Sequence, residues 1–152
     1  MVLASQPPEE SRFINSVCLD ADVSAGFDVT SECFIVGFGA IKEDGNTADV
    51  LQEAMVPLVE IRDCIKAYPR DISYNMICAG YMKGGIDACQ GDSGGPLVCS
   101  RRDESANVER WYLTGITSWG NGCARPNYPG VYTKVARYGD WLENVFASHS
   151  GK

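Results

Sequence analysis

Apolar positions gather in short runs separated by glycine-, proline- and charge-bearing turns, a rhythm that predicts strands rather than long helices. "CFIVGFGAI" (33–41) reads as a strand bent or bulged by its interior glycines, as at a barrel corner. "KEDGNTAD" (42–49) is a turn, and "VLQEAMVPLV" (50–59) alternates well enough for a second strand. Three further short strands are expected at "NMICAG" (75–80), "GPLVCS" (95–100) and "GVYTKV" (130–135), and a long one at "RWYLTGITSWG" (110–120). "SRRDESANVER" (100–110) is a charged hairpin tip.

Two stretches carry helical spacing instead. "EIRDCIKAY" (60–68) ends at Pro69, and "ARYGDWLENVFASH" (136–149) is an amphipathic closing helix. Counted from Val135, just before the latter, Val135, Tyr138, Trp141, Leu142 and Val145 fall near i, i+3, i+4 spacing. Residues 1–32 are a polar, proline-bearing lead in which only "INSVCL" is apolar enough to lie against a core. The expected organisation is a linker over 1–32, a barrel with its closing helix over 33–147 and a tail over 148–152. The fold class is all-β, a small antiparallel barrel with a C-terminal α-helix and no internal repeat.

Composition narrows the function classes. A net charge of −7, with no Lys/Arg run longer than "RR", argues against nucleic acid and anionic membranes as partners. Seven cysteines without a CxxC spacing, beside a single histidine, predict disulfides in an oxidising compartment and no metal site. The odd count leaves one cysteine for a partner outside the chain. "MVLASQPPEE" lacks the basic and apolar regions of a signal peptide, and no run approaches a membrane span. A cysteine-rich chain of this kind is expected either to keep free thiols in the cytosol or to belong to something larger.

The candidate chemistry lies in "DACQGDSGGPLVC" (87–99). Glycines on both sides of Ser93 permit backbone angles that other residues resist, and such a turn can aim the amides of Gly91 and Ser93 at one point. Two converging N–H groups stabilise the oxyanion of a tetrahedral intermediate by ~3–4 kcal/mol. The same residues also fit a tight turn with an ordinary surface serine. A serine hydroxyl needs a base, and the one histidine, His149, is expected to be an exposed tail residue that does not serve as one.

The whole of "DACQGDSGGPLVC" resembles the nucleophile segment of trypsin-like serine proteases of the chymotrypsin fold. "GITSWGNGCARPNYPGVYTKV" (115–135) resembles that family's pocket wall, "WLENVF" (141–146) its closing helix and "NSVCLD" (15–20) its inter-barrel linker. The resemblance implies the C-terminal half of the catalytic domain, a single Greek-key barrel that is the second of the family's two. By the same resemblance Ser93 is the nucleophile, and the Gly91 and Ser93 amides form the oxyanion hole. Asp87, six residues before Ser93, falls at the base of the primary pocket, where a carboxylate meets a substrate Arg or Lys; a solvated loop carboxylate is the plainer alternative. Gly120 and Gly130 fall on the pocket walls, and Ser118, Trp119 and Gly120 on the segment that pairs with substrate backbone. Asp92 matches the residue that receives the new N-terminal amine after zymogen cleavage.

The implied disulfides are Cys33–Cys99, Cys64–Cys78 and Cys89–Cys123, leaving Cys18 for an upstream segment. Loop closure assigns ~3 kcal/mol to the shortest and ~4 kcal/mol to each of the others. The family's His- and Asp-bearing first barrel, with its "TAAHC"-like and "DIALL"-like motifs, is not in these residues, and "MVLAS" resembles the residues just after the second motif. The expectation is a secreted, zymogen-derived endopeptidase cleaving after Arg or Lys, without cofactor, whose half-chain is inert by itself. Its partners are a basic polypeptide substrate or inhibitor and the absent barrel. A protease-like module that holds basic peptides without cutting, and a structural half that docks with a separate barrel, are the competing readings.

Overall fold

The computed structural model describes residues 8–19, 26–103 and 106–149; "MVLAS" lies outside them. Strands dominate, as the short apolar runs require. β2 (Cys33–Gly37) pairs antiparallel with β3 (Gln52–Met55) on one side and with β6 (Pro96–Asp103) on the other. β6 pairs with β7 (Val108–Trp119), β7 with β8 (Gly130–Lys134), β8 with β5 (Met76–Ala79), and β5 with β4 (Leu58–Val59).

The sheet order β3-β2-β6-β7-β8-β5-β4 returns on itself because β3 and β4 are two halves of one bent run. Pro57 stands at the bend. The Val56 amide still donates to Cys33 O at 2.9 Å, while Pro57, which has no N–H, accepts from the Gly80 amide at 2.9 Å. The run 50–59 therefore serves two neighbours, and the all-β barrel follows.

The core sits where the inward faces meet. Cys33, Ile35, Val56, Leu58, Ala79, Leu97, Cys99 and Tyr132 form one buried cluster. Cys64, Tyr68, Cys78 and Val131 form a second, beneath α1 (Ile61–Ala67). All three expected disulfides are formed. Cys33 and Cys99 are cross-strand partners in the β2–β6 ladder, and Cys64–Cys78 pins α1 to β5. Cys18 is the free cysteine among the described residues, half-buried in β1 (Cys18–Leu19).

Several boundaries differ from the expectations, each for a nonlocal reason. β2 stops at Gly37, short of Ile41, because the chain turns there to bring the Gly39 amide to Asp92 Oδ1 at 2.7 Å. The charged stretch 100–110 is mostly ladder, since β6 runs to Asp103, β7 starts at Val108, and Arg110 Nε pairs with Asp103 Oδ2 at 3.3 Å. β1, unmarked by any strand pattern, adds in parallel to Tyr112–Leu113 of β7. The closing segment is a 3-10 turn, Val135–Tyr138, followed by α2 (Gly139–His149), so the helix takes in the first residues of the expected tail. Trp141, expected on its apolar face, is 54% exposed, while Leu142 and Val145 are half-buried. The β2–β3 connection likewise leaves Ile41 76% and Val50 70% exposed. No helix among the described residues is long and apolar enough to cross a membrane.

Candidate active site

The turn around Ser93, the candidate nucleophile, is shaped by its glycines and pinned by its neighbours. Gly91 (φ 97°) and Gly94 (φ 82°) take left-handed conformations that other residues adopt at a cost. Asp92 N–H donates to Cys89 O at 3.0 Å and Gly95 N–H to Asp92 O at 2.8 Å, closing the turn on itself. Gly94 N–H to Thr117 O and Thr117 N–H to Gly95 O, both 2.9 Å, fasten it to β7. Among the described residues the Gly91 and Ser93 amides donate to no acceptor, so both stay available to a ligand. Ser93 is exposed, and its hydroxyl has no hydrogen-bond partner among those residues.

Asp92 points the other way. Its carboxylate accepts from Gly39 N–H at 2.7 Å and from Cys89 N–H at 3.0 Å. It is wedged between Gly37 and Gly39: a Cβ at Gly39 would lie 2.4 Å from its Cγ. Asp92 lines a cavity of ≈ 240 Å³ together with Gly39, Ile41, Glu43, Glu53 and Asp87.

On the front, Asp87, Ser93, Ser118, Trp119, Gly120 and Gly130 line one cleft of ≈ 160 Å³. Asp87 Oδ1 accepts from Ala88 N–H at 2.9 Å and Oδ2 from Ala124 N–H at 3.1 Å. Burial nevertheless dominates and pushes its pKa up to about 6; the two amides pull it back, and the Asp92 charge adds to the rise. Gly130 faces this carboxylate so closely that a Cβ would stand 2.7 Å from Oδ1. A Cβ at Gly120 would meet nothing nearer than 3.5 Å, so that wall is looser.

The register of β7 against β8 slips between Thr117 and Trp119, leaving Ser118 exposed and without a ladder partner in β8. Trp119 stays paired with Val131 of β8, while the β6 ladder ends at Pro96–Ile116, so Ser118–Gly120 has no ladder partner in β6. The half-buried Cys89–Cys123 bridge ties the nucleophile segment to the wall opposite.

Two aromatic residues escaped the sequence reading: Tyr132, which lines the cleft, and Tyr68, which packs against its Trp119. Tyr132 is fully buried, lines the floor, and carries a hydroxyl with no protein partner among the described residues. Burial, then the Asp87 charge, holds its pKa above the usual phenol value. Tyr68 packs edge-on against Trp119 with ring centroids 4.9 Å apart. Its hydroxyl donates to Pro129 O at 2.8 Å and accepts from Asn121 N–H at 3.3 Å, bracing both wall strands. Tyr68 looked like the last residue of a helix, and Tyr132 like any inward strand residue; only the fold brings them to Asp87. Tyr68→Phe leaves the Pro129 and Asn121 groups without this partner and is expected to cost about 1–2 kcal/mol, read as a lower urea midpoint.

No group of residues suited to a metal ion occurs among the described residues. His149, the single histidine, ends α2.

Residues 1–142 match the family model described as Trypsin. Over 150 residues the chain is 42% identical to a protein named trypsin from Xenopus laevis, covering 98% of this chain and 56% of that protein. It is 43% identical over 136 residues to transmembrane protease serine 9 from Rattus norvegicus, covering 90% of this chain and 12% of that protein. The chain thus spans about half the length of the first relative and a small part of the second.

Proposed function

The chain belongs to the trypsin family, and from that premise we propose that it is the nucleophile- and pocket-bearing part of a serine endopeptidase that cleaves after Arg or Lys. The observation that carries this reading is the placement of the half-buried Asp87 carboxylate in the same cleft as the exposed Ser93. A cationic side chain entering between Gly120 and Gly130 would meet that carboxylate, while substrate backbone pairs along Ser118–Gly120. Ser93 attacks the scissile carbonyl, and the unengaged Gly91 and Ser93 amides receive the oxyanion.

The general base and its orienting carboxylate are assigned to a segment outside these residues, since the Ser93 hydroxyl has no hydrogen-bond partner among those described. The same gap is what favours the second reading, a module that holds basic peptides without cutting them. Asp92, now partnered by Gly39 and Cys89, is the group that would exchange those amides for a chain-terminal amine at the rear cavity. The exposed β2–β3 connection suits cover by a companion barrel, Cys18 suits a bridge to an upstream segment, and three disulfides suit secretion.

A fluorescent aryl amidine titrated onto the chain between pH 8 and pH 5 tests the pocket. Cation binding needs Asp87 ionised, so affinity holds at high pH and falls about tenfold per unit below pH about 6. A flat profile over that range rules out Asp87 as the cation's partner. In the ligand-free chain the sign is opposite: with the folded value raised, Asp87's contribution to stability is full below about pH 4 and is lost as the pH rises through about 6.

A further inference from the structure

Three consecutive residues of the pocket wall reach two other segments of the chain. Cys123 is bonded to Cys89 in the nucleophile segment, Ala124 N–H donates to Asp87 Oδ2 at 3.1 Å, and Arg125 crosses to Glu43 in the β2–β3 connection. The last contact is a two-pronged pair, Nε to Oε2 at 2.9 Å and Nη2 to Oε1 at 2.5 Å. Glu43 Oε2 also accepts from Cys123 N–H at 3.4 Å.

The connection that holds Glu43 is itself anchored to the nucleophile side, through Gly39 N–H to Asp92 and Ala40 N–H to Gln90 O at 2.8 Å. The contacts close a ring: Asp87, Ala124, Arg125, Glu43, Gly39, Asp92 and back through the nucleophile segment. Gly122 (φ 75°) belongs to the same device, since the Arg125 side chain occupies the space its Cβ would need, with Nε 2.3 Å away.

We propose that Glu43 and Arg125 are positioning residues for the pocket, a latch across 82 residues of sequence that holds the Ala124 amide on the Asp87 carboxylate. This deepens the reading of Asp87 as the partner of a substrate cation and rests on it for its consequence. The pair is too solvated to matter as a bare ion pair, with side chains 51% and 28% exposed. Its planar fork instead fixes where the wall sits, and the wall sets how well Asp87 is solvated by its amides.

The Ala124 amide lowers the Asp87 pKa, so slackening the latch raises it. Asp92, Tyr68 and Tyr132 act electrostatically on Asp87 or feel its charge, and Lys42, Glu43 and Glu53 line the cavity it shares with Asp92; of these Glu43 belongs to the latch and Asp92 joins it through the Gly39 amide. Carbon NMR titration of the Asp87 carboxyl in the whole chain reads this without any ligand. Glu43→Gln and Arg125→Gln should each move the midpoint up by about half a pH unit, and the charge exchange Glu43→Arg with Arg125→Glu should bring it back. A through-space charge effect moves the two single variants in opposite directions, and that result, or no shift in either, overturns the latch.

Amidine affinity is the second readout. Each single variant is expected to bind about three- to tenfold more weakly, with the exchange restoring most of the loss. Midpoint shifts in a chain that binds no amidine would leave the latch standing and sink the substrate reading. Unchanged affinity and an unchanged midpoint, in a chain that binds amidine, would sink the latch and leave that reading intact.

Discussion

Asp87→Asn lowers the affinity of the chain for an aryl amidine at pH 8 by about a hundredfold, while the urea midpoint stays close to that of the parent. The two halves of this expectation have separate causes. A cation enclosed in the cleft with a carboxylate gains a charge-assisted contact worth about 3 kcal/mol, and a neutral amide forfeits it. The fold loses little, because burial already disfavours the Asp87 charge and the amide oxygen still accepts one of the Ala88 and Ala124 N–H groups. A variant that lost affinity and stability together would point to collapse of the wall instead of loss of a charge partner.

Gly39→Ala is the converse, a change in which stability leads. The new Cβ would lie 2.4 Å from Asp92 Cγ and Oδ2 and 2.5 Å from Oδ1, so the carboxylate has to leave its seat. Leaving breaks the bonds from Gly39 and Cys89 and sets a charged group loose beside the nucleophile turn. Two charge-assisted bonds lost and one close contact forced predict a fall of about 3–5 kcal/mol in unfolding free energy by urea titration. Asp92→Asn, which keeps the shape and one acceptor, is expected to cost roughly half of that. Equal stability in Gly39→Ala and the parent would contradict the wedge between Gly37 and Gly39.

These residues also mark how far the sequence could be read. The nucleophile turn was legible because its chemistry is local: glycines around Ser93 and Asp87 six positions earlier sit in one continuous segment. Six strand runs were legible because each is a short apolar run, although 50–59 divides into β3 and β4 and β1 carries no such run, and the disulfides were legible because a strong resemblance paired them. What escaped is held from a distance. Asp92 ends β2 from 53 positions away, a partner no periodicity in "CFIVGFGAI" can announce. Pro57 lies inside what reads as a single strand over 50–59, whereas it divides a run that serves two neighbours and closes the barrel. β1 borrows its strand character from β7, and Trp141 has the spacing of a buried residue yet stays 54% exposed among the described residues.

The central claim is a split site: a finished cation pocket and an exposed nucleophile, with the base supplied from outside these residues. Its most direct test is the rate at which an arginine-mimicking phosphonate labels Ser93 in the purified chain, measured by intact mass beside a Ser93→Ala control. The account predicts saturable, Asp87-dependent amidine binding with labelling no faster than the control. Rapid, stoichiometric labelling of Ser93 in these 152 residues would contradict it, since the chain would then be supplying its own base.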